Sequence, residues 1–399
     1  MRVLFLSLLD FESLDERNIY TDLLRQFVKN DHEVSIISPI ERRKGKSERI
    51  IEISKNCEIL KLRIGNIQKT NKIKKGISTL LVENQFIVGI KKHFSNRRFD
   101  LVLYVTPPIT FQKVIHFIKK RDNAKSYLLL KDIFPQGAVD LGFIPGKGLL
   151  YNYFRKKEQK LYKVSDYIGT LSQRNSEYLC KHNLYIDRNK VEINPNSIEI
   201  VDNESNSDSD NVRKKLSIPK DSVLFLYGGN LGKPQGIDFL IRFLVDQKIS
   251  GAFFLIVGSG TEYDKLEKAL NNADKNNVRL LSQLPKFEYI ELEKICDVGM
   301  IFLDRRFTIP NIPSRMLGYM AMKKPIVAAT DCNTDLKDIM EDGKFGFWSE
   351  HGDFSGLMKN IELILNVEKR KKMGINSFKY LCENYDVRDS YQKIINHFI

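Results

Sequence analysis

VLFLYGGNLGKPQGIDFLIRFL, residues 223–244, is the stretch on which the fold turns. An apolar run leads into paired glycines, a short polar loop follows, and Ile237, Leu240, Ile241 and Leu244 then return at helical spacing. Strand, glycine-rich loop and helix open a unit in which a buried parallel strand feeds a crossover helix. Gly228, Gly229 and Gly232 let the backbone approach a ligand closely, and free amides at a helix start favour phosphate, with Lys233 as an added charge. The spacing is not GxGxxG and no acidic residue ends a next strand, which argues against a dinucleotide. The plain alternative is a tight strand-to-helix turn.

The same rhythm continues downstream in FFLIVGSG (253–260), VRLLSQL (278–284), VGMIFLD (298–304) and PIVAAT (325–330). Upstream it is set by RVLFLSLL (2–9), HEVSIIS (32–38), FDLVLYVT (99–106), AKSYLLLKD (124–132) and SDYIGTLS (165–172), each separated from the next by helix-like sequence. Between the two series, IEIVDNESNSDSDNVRKK (198–215) is polar and holds no core. A chain of 399 residues is long enough for two cores. The pattern predicts an α/β fold of two Rossmann-like domains, residues 1–197 and 198–386, with a C-terminal helix over 387–399 able to pack back on the first.

Charge divides the chain unevenly. The net charge is +14, and residues 1–200 hold 36 Lys and Arg against 22 Asp and Glu, whereas the remainder is balanced. A basic half beside a neutral one implies that the first domain faces an anionic partner. No apolar run approaches the roughly 18–20 residues of a membrane-spanning helix, and the N-terminus reads as a first strand rather than a signal peptide. The five cysteines are dispersed without CxxC pairs, and the histidines lack ligand spacing. Reduced thiols, a cytoplasmic setting and no protein-held metal are the expectation.

Three strand ends in the second half suit an anion. Gly258 and Gly260 repeat the glycine turn, and IPSRMLGYMAMKKPIVAA (312–329) places Pro313, Ser314 and Arg315 at a helix start before a buried strand. A diphosphate there would meet backbone amides, one hydroxyl and a fork-shaped donor. Taken alone, this reads sooner as an ordinary capped helix with Arg315 in solvent. Three such ends together favour a nucleotide diphosphate, because ligands bind at the carboxyl ends of parallel strands. In the first half, LLLKDIFPQGAVDLGFI sets Lys131 and Asp132 where a buried strand ends. Asp132 could act as a general base or stabilise positive charge on a sugar ring, and its alternative is a turn cap before Pro135. GLLYNYFRKKEQKLYK (148–163) predicts a basic amphipathic helix suited to an anionic membrane surface, or simply a solvated face. ERRKGKSER (41–49) and KTNKIKKG (69–76) are basic loops that would extend that surface.

Taken in order, DIFPQGAVDLG (132–142), SDYIGTLS (165–172), INPNSIE (193–199), YGGNLGKPQG (227–236), VGSG (257–260) and PSRMLGYMAMKKPIVA (313–328) resemble GT-B-fold glycosyltransferases of retaining family 4. The bacterial O-antigen and capsular polysaccharide enzymes of the fucosamine-transferase type are the nearest. The resemblance implies two domains facing a central cleft, with a nucleotide-sugar donor, expected to be UDP-linked, on the C-terminal one. It implies a polyprenyl-diphosphate-linked saccharide acceptor on the N-terminal one, transfer with retention, and no metal cofactor. Such an enzyme would work at the inner face of the cell membrane. Catalysis falls to Asp132 and Lys131, and donor binding to Gly229, Asn230, Gly232, Lys233, Gln235, Gly258, Gly260, Ser314 and Arg315. Asn230 and Gln235 stand where many relatives carry Arg and Lys, with Lys233, Arg315, Arg305 or Arg306 placed to compensate; Pro310 and Gly318 stand where many carry a pair of glutamates. The competing expectations are a non-hydrolysing UDP-sugar 2-epimerase of the same architecture and a basic nucleic-acid-binding protein; no recognition motif supports the second.

Overall fold

The computed structural model describes residues 1–67, 72–201, 209–273 and 275–398. They form two compact units: residues 1–199 together with 387–399, and residues 200–386.

The first unit is built on a sheet of eight strands: β1 (Arg2–Leu6), β2 (Glu33–Glu41), β3 (Arg49–Ser54), β4 (Cys57–Ile64), β5 (Leu101–Val105), β6 (Lys125–Leu129), β7 (Tyr167–Thr170) and β8 (Val191–Ile193). Their order is β3-β4-β2-β1-β5-β6-β7-β8, and every pairing is parallel except the β3–β4 hairpin at the edge. Strands β1 and β5 are buried almost throughout, as expected of a parallel sheet covered on both faces. Strands β3, β4 and β8 do not stand out in the sequence. β3 alternates between half-buried and exposed positions, and β4 carries Glu58, Lys61 and Arg63 among its apolar residues. Lys61 is fully buried because its ammonium donates to Asp10, to Ser38 Oγ at 2.9 Å and to the Phe11 carbonyl at 3.0 Å. A buried cation held by three acceptors is a structural tether for the segment after β1.

The Val387–Ile395 helix belongs to this unit. Val387, Tyr391, Ile394 and Ile395 join the core formed by Val3, Phe5, Leu24 and Phe27. Its start is fixed by the Val387 amide on the Ile198 carbonyl (3.0 Å) and by Ser390 Oγ on Asn194 Oδ1 (2.6 Å). Tyr391 Oη lies 2.8 Å from His32 Nε2.

The second unit has a six-stranded, wholly parallel sheet: β9 (Val223–Asn230), β10 (Ala252–Ser259), β11 (Val278–Ser282), β12 (Val298–Phe302), β13 (Ile326–Thr330) and β14 (Gly346–Glu350) in the order β11-β10-β9-β12-β13-β14. Phe225, Phe243 and Phe254 stack and cross at its centre, with Leu240, Met300 and Ile361 packed around them. The outer strand β14, which opens on a glycine and carries a tryptophan, is another that sequence patterning passes over.

Three expectations about segments change. The first unit runs to Glu199 rather than 197, because the Glu199 amide donates to Asp22 Oδ2 (2.8 Å) and its carboxylate meets Arg25 and Lys29. Within the polar stretch 198–215, residues 202–208 lie outside those described, and Ser209–Lys215 is helical rather than loop. Of the basic stretch 69–76, residues 69–71 lie outside those described, and from Lys72 the backbone is already in the Lys72–His93 helix.

Candidate donor and catalytic sites

In the second unit the carboxyl ends of β9 and β10 are packed loop against loop. A Cβ on Gly258 would lie 1.9 Å from the Gly229 carbonyl oxygen, and one on Gly260 would lie 2.3 Å from the Leu231 carbonyl. The Leu231 amide donates to Ser259 (2.9 Å), and the Glu262 amide donates to Leu231 (2.9 Å). Gly258 and Gly260 therefore act as backbone spacers that let the two loops touch, and any larger side chain would force them apart. Gly229 has φ +125°, a left-handed conformation that favours glycine, and it is exposed beside the exposed Asn230. Gly232 is buried, and its carbonyl accepts from the Gln235 amide (3.0 Å) in the short turn Lys233–Gln235. Lys233 is exposed at the head of that turn.

Arg315 comes to this loop from the Arg315–Ala321 helix. Its guanidinium lies over the Tyr227 ring at 4.7 Å and donates through Nη2 to Gln235 Oε1 at 2.7 Å. A Cβ on Gly229 would stand 3.4 Å from its Cζ. Nη1 is buried and has no hydrogen-bond partner among the described residues. The solvated arginine of the plain helix-cap alternative is not what the structure contains. Gln235 orients the fork, Tyr227 supports its face, and Gly229 leaves the space in front of it open. Ser314, at the N-cap, is exposed and makes no capping bond with its side chain, so its hydroxyl remains available. Arg306 is held by Asp304 through Nε–Oδ1 and Nη2–Oδ2 contacts of 2.8 Å, so its fork is already occupied by a carboxylate.

Tyr227, Tyr289 and Glu293 escaped the sequence reading. Tyr289 and Glu293 stand four apart on the Lys286–Ile295 helix. That i,i+4 pair of polar ends on a helix face is the signal that could have marked them. A Cβ on Gly228 would overlap Tyr289 Oη at 1.9 Å, and one on Gly318 would stand 2.4 Å from Glu293 Oε1. Glu293 is 5 % exposed, and burial pushes its carboxyl up to about 7.

In the first unit, Lys131 and Asp132 follow the end of β6 after Leu130. Their amides donate to Thr106 Oγ1 at 3.1 and 3.3 Å, which pins the turn to the end of β5. Both residues keep partial exposure, but protein crowds their ionisable ends. Desolvation raises the Asp132 carboxyl to about 6, opposed by the Ile133 amide, and lowers Lys131 to about 7. Lys131 Nζ points at the Asn194 carbonyl, 3.5 Å away. Tyr20 is close enough for the Asp132 charge to add to the desolvation that raises its phenol to about 12. A carboxylate and an amine, both poised near neutrality at a strand end, suit proton transfer.

The Leu149–Val164 helix buries Leu161 and Tyr162 and turns Lys156, Lys160 and Lys163 outward. Leu149 is 92 % exposed, and Leu150, Tyr153 and the preceding Phe143 are also exposed. Beside the helix a groove of about 590 Å³ is lined by His116, Lys119, Lys120, Lys160 and Lys163. The 41–49 loop contributes less charge than its sequence suggests. Arg43 pairs with Glu41, Lys44 with Asp10, and Lys46 and Arg49 with Glu12. Glu41 within the stretch, and Asp10 and Glu12 from farther along the chain, pair with most of its cations.

Comparison with known proteins bears on the family and the fold. Residues 208–380 match the family described as glycosyl transferases group 1. The probable glycosyltransferase WbjE of Pseudomonas aeruginosa is 23% identical over 372 residues, covering 90% of this chain and 88% of that protein. The putative colanic acid biosynthesis glycosyl transferase WcaI of Escherichia coli K12 is 23% identical over 253 residues, covering 61% of this chain and 60% of that protein. The Anabaena protein HepE, solved with UDP and glucose, superposes with a TM-score of 0.70 at 14% identity, covering 100% of this chain and 99% of HepE, a likeness of fold alone. Residues 208–380 thus resemble the glycosyl transferases group 1 family, and the chain is a glycosyltransferase with the two parallel-sheet domains of the GT-B fold.

Proposed function

We propose that this glycosyltransferase moves a sugar from a nucleoside-diphosphate donor, UDP-linked by expectation, to a polyprenyl-diphosphate-linked saccharide during bacterial surface-polysaccharide assembly. The observation that carries the proposal is Arg315. A buried guanidinium nitrogen without a partner, facing the open space over Gly229, is a costly arrangement in a resting protein and a ready one for a phosphate oxygen. Gly229, Asn230, Gly232, Lys233, Gln235 and Ser314 surround the same anion, while Gly258 and Gly260 serve it indirectly by keeping the loops together. Developing charge on the leaving diphosphate is then stabilised without a resident metal, by a preorganised donor that does not need to reorient. In the first unit Asp132 acts on the acceptor or on the charge that builds on the sugar ring, and Lys131 supplies a cation or proton beside it. Transfer proceeds with retention, as the family 4 resemblance implies. The name of WcaI, which places that relative in colanic acid biosynthesis, supports a polysaccharide product here.

The test is a panel of nucleotide sugars with a polyprenyl-diphosphate-saccharide acceptor, read as nucleoside diphosphate release. Release that requires acceptor is expected for one donor. Conversion of donor without acceptor would mean an epimerase instead, and silence across the panel would remove the proposal.

No helix among the described residues is long and apolar enough to cross a membrane. We propose that the first unit docks on the inner membrane face through the exposed apolar start and basic end of the Leu149–Val164 helix. Each surface cation there contributes about 1 kcal/mol near anionic lipid. Binding to liposomes containing anionic lipid is expected at low salt. The double change Lys160→Glu, Lys163→Glu should lower that binding about tenfold or more, read by flotation. Flotation insensitive to both salt and the double change would exclude this surface.

A further inference from the structure

Asn194, the residue after β8, is wholly buried although its side chain is an amide. Four partners from four parts of the first unit meet there. Its main-chain amide donates to the Thr170 carbonyl at the end of β7 (2.8 Å), and its Nδ2 donates to Tyr127 Oη on β6 (2.9 Å). Its Oδ1 accepts from Ser390 Oγ on the Val387–Ile395 helix (2.6 Å), and its carbonyl accepts from Lys131 Nζ (3.5 Å). The polarity of these bonds is fixed. Tyr127 gives its own proton to Glu192 Oε1 at 2.6 Å, so toward Asn194 it can only accept, and Oδ1 is left for the Ser390 hydroxyl. His397 Nε2 lies 3.1 Å from the same Glu192 oxygen, and its ring stacks on Tyr167 at 3.8 Å.

What this network holds still is the acceptor for Lys131. Among the described residues the Lys131 ammonium has no ion pair and no hydrogen bond except the one to the Asn194 carbonyl. A single long contact leaves two of its three protons for another partner. The lysine stem is flexible, so the place of that carbonyl decides where the ammonium rests. Pro195 confines Asn194 to extended backbone, and the bonds to Thr170, Tyr127 and Ser390 keep the carbonyl from swinging away.

We propose that Ser390 and Tyr127, acting through Asn194, are positioning residues that hold the Lys131 ammonium at the transfer site. This rests on the reading of Lys131 and Asp132 as the catalytic pair. Ser390 reaches the amine only through Asn194, so the helix that completes the core of the first unit also sets its chemistry. The other ionisable groups around the amine are Asp132 on the same turn, Tyr20 at the start of the Ile19–Lys29 helix, and Glu192 with His397 behind Tyr127. None of them bonds to it. A carbonyl acceptor favours the ammonium over the free amine, so a loosened Asn194 should let Lys131 lose its proton more readily.

The experiment uses the full-length chain and acetic anhydride, which acylates only the free amine, with the exposed Lys55 as internal reference and peptide mass spectrometry as readout. Ser390→Ala and Tyr127→Phe each remove one bond, from opposite sides of Asn194. Tyr127→Phe keeps the ring in the core and carries the test if Ser390→Ala fails to fold. At pH 6, Lys131 should be labelled about threefold faster in each variant than in wild type, as a long hydrogen bond to a charged group is weakened. At pH 9, where the amine is free in all three chains, the rates should be equal. Wild-type labelling at pH 6, or an equal rise at both pH values from mere loosening, would overturn the positioning role. Turnover should fall about tenfold in each variant with the donor KM within about twofold. Ser390→Ala should then cost nothing further in a chain already carrying Lys131→Ala. A second full tenfold loss in that background would overturn the proposal. A labelling shift with unchanged turnover would instead overturn the catalytic reading of Lys131, so the two failures are told apart.

Discussion

Asp132→Asn is expected to lower turnover by about two to four orders of magnitude while leaving nucleotide affinity within about twofold. The side chain sits just past the end of β6, on a backbone pinned by Thr106, so the amide variant keeps its position and loses only its charge. Both roles open to Asp132, base toward the acceptor and stabiliser of positive charge on the ring, require the ionised carboxylate. With its carboxyl held up at about 6, the rate should climb as pH rises through that value and level off above it. That acid limb should vanish in Asp132→Asn. A rate that instead falls as pH rises through 6 would make Asp132 a proton donor. The linkage to stability carries the opposite sign from the usual paired carboxylate. Burial raises the folded value above the unfolded one, so the anion costs stability, and this cost grows as pH rises from about 4 to 6. Removing the charge should therefore raise the thermal midpoint at neutral pH. Activity lost together with stability gained is the mark of a residue kept for chemistry.

Arg315→Ala is expected to weaken nucleotide-diphosphate binding by about 100- to 1,000-fold, as a charge-assisted pair of hydrogen bonds is lost. Arg315→Lys should recover little of it. The ammonium lacks the planar fork that Gln235 orients and Tyr227 supports, and it cannot present two parallel donors. Gln235→Ala should cost only a few-fold, since it frees the guanidinium without removing it. Calorimetric titration with UDP, or with whichever nucleotide the transfer screen selects, reads all three. Equal affinity in wild type and Arg315→Ala would place the diphosphate elsewhere.

The central strands of both sheets were legible because they are nearly continuous apolar runs, and β1, β5, β9 and β10 needed no tertiary information to be recognised. The edges were not. β3 and β4 form a hairpin whose polar residues, Lys61 above all, are explained only by partners brought from Asp10 and Phe11. The site divides in the same way. Arg315 and Gly229 carry chemistry in their residue types, and their loops could be read directly. Glu293 looked like one acid on a charged helix, since its burial against Gly318, distant in sequence and adjacent in space, is a tertiary contact. Gly258 and Gly260 show the converse. A pattern that reads as ligand contact also seats one loop on another.

The contact between Val387 and Ile198 has a consequence for engineering. Residues 200–386 interrupt the first unit between Glu199 and Val387, and the Val387–Ile198 hydrogen bond brings the two ends of that interruption together. The first unit cannot be produced by simple truncation after Glu199, because the helix that completes its core would be discarded with the tail. The second unit is one contiguous cassette. Chimeras made by exchanging it between related enzymes, cut at 199/200 and 386/387, preserve every native strand of the recipient and change only what is plugged in.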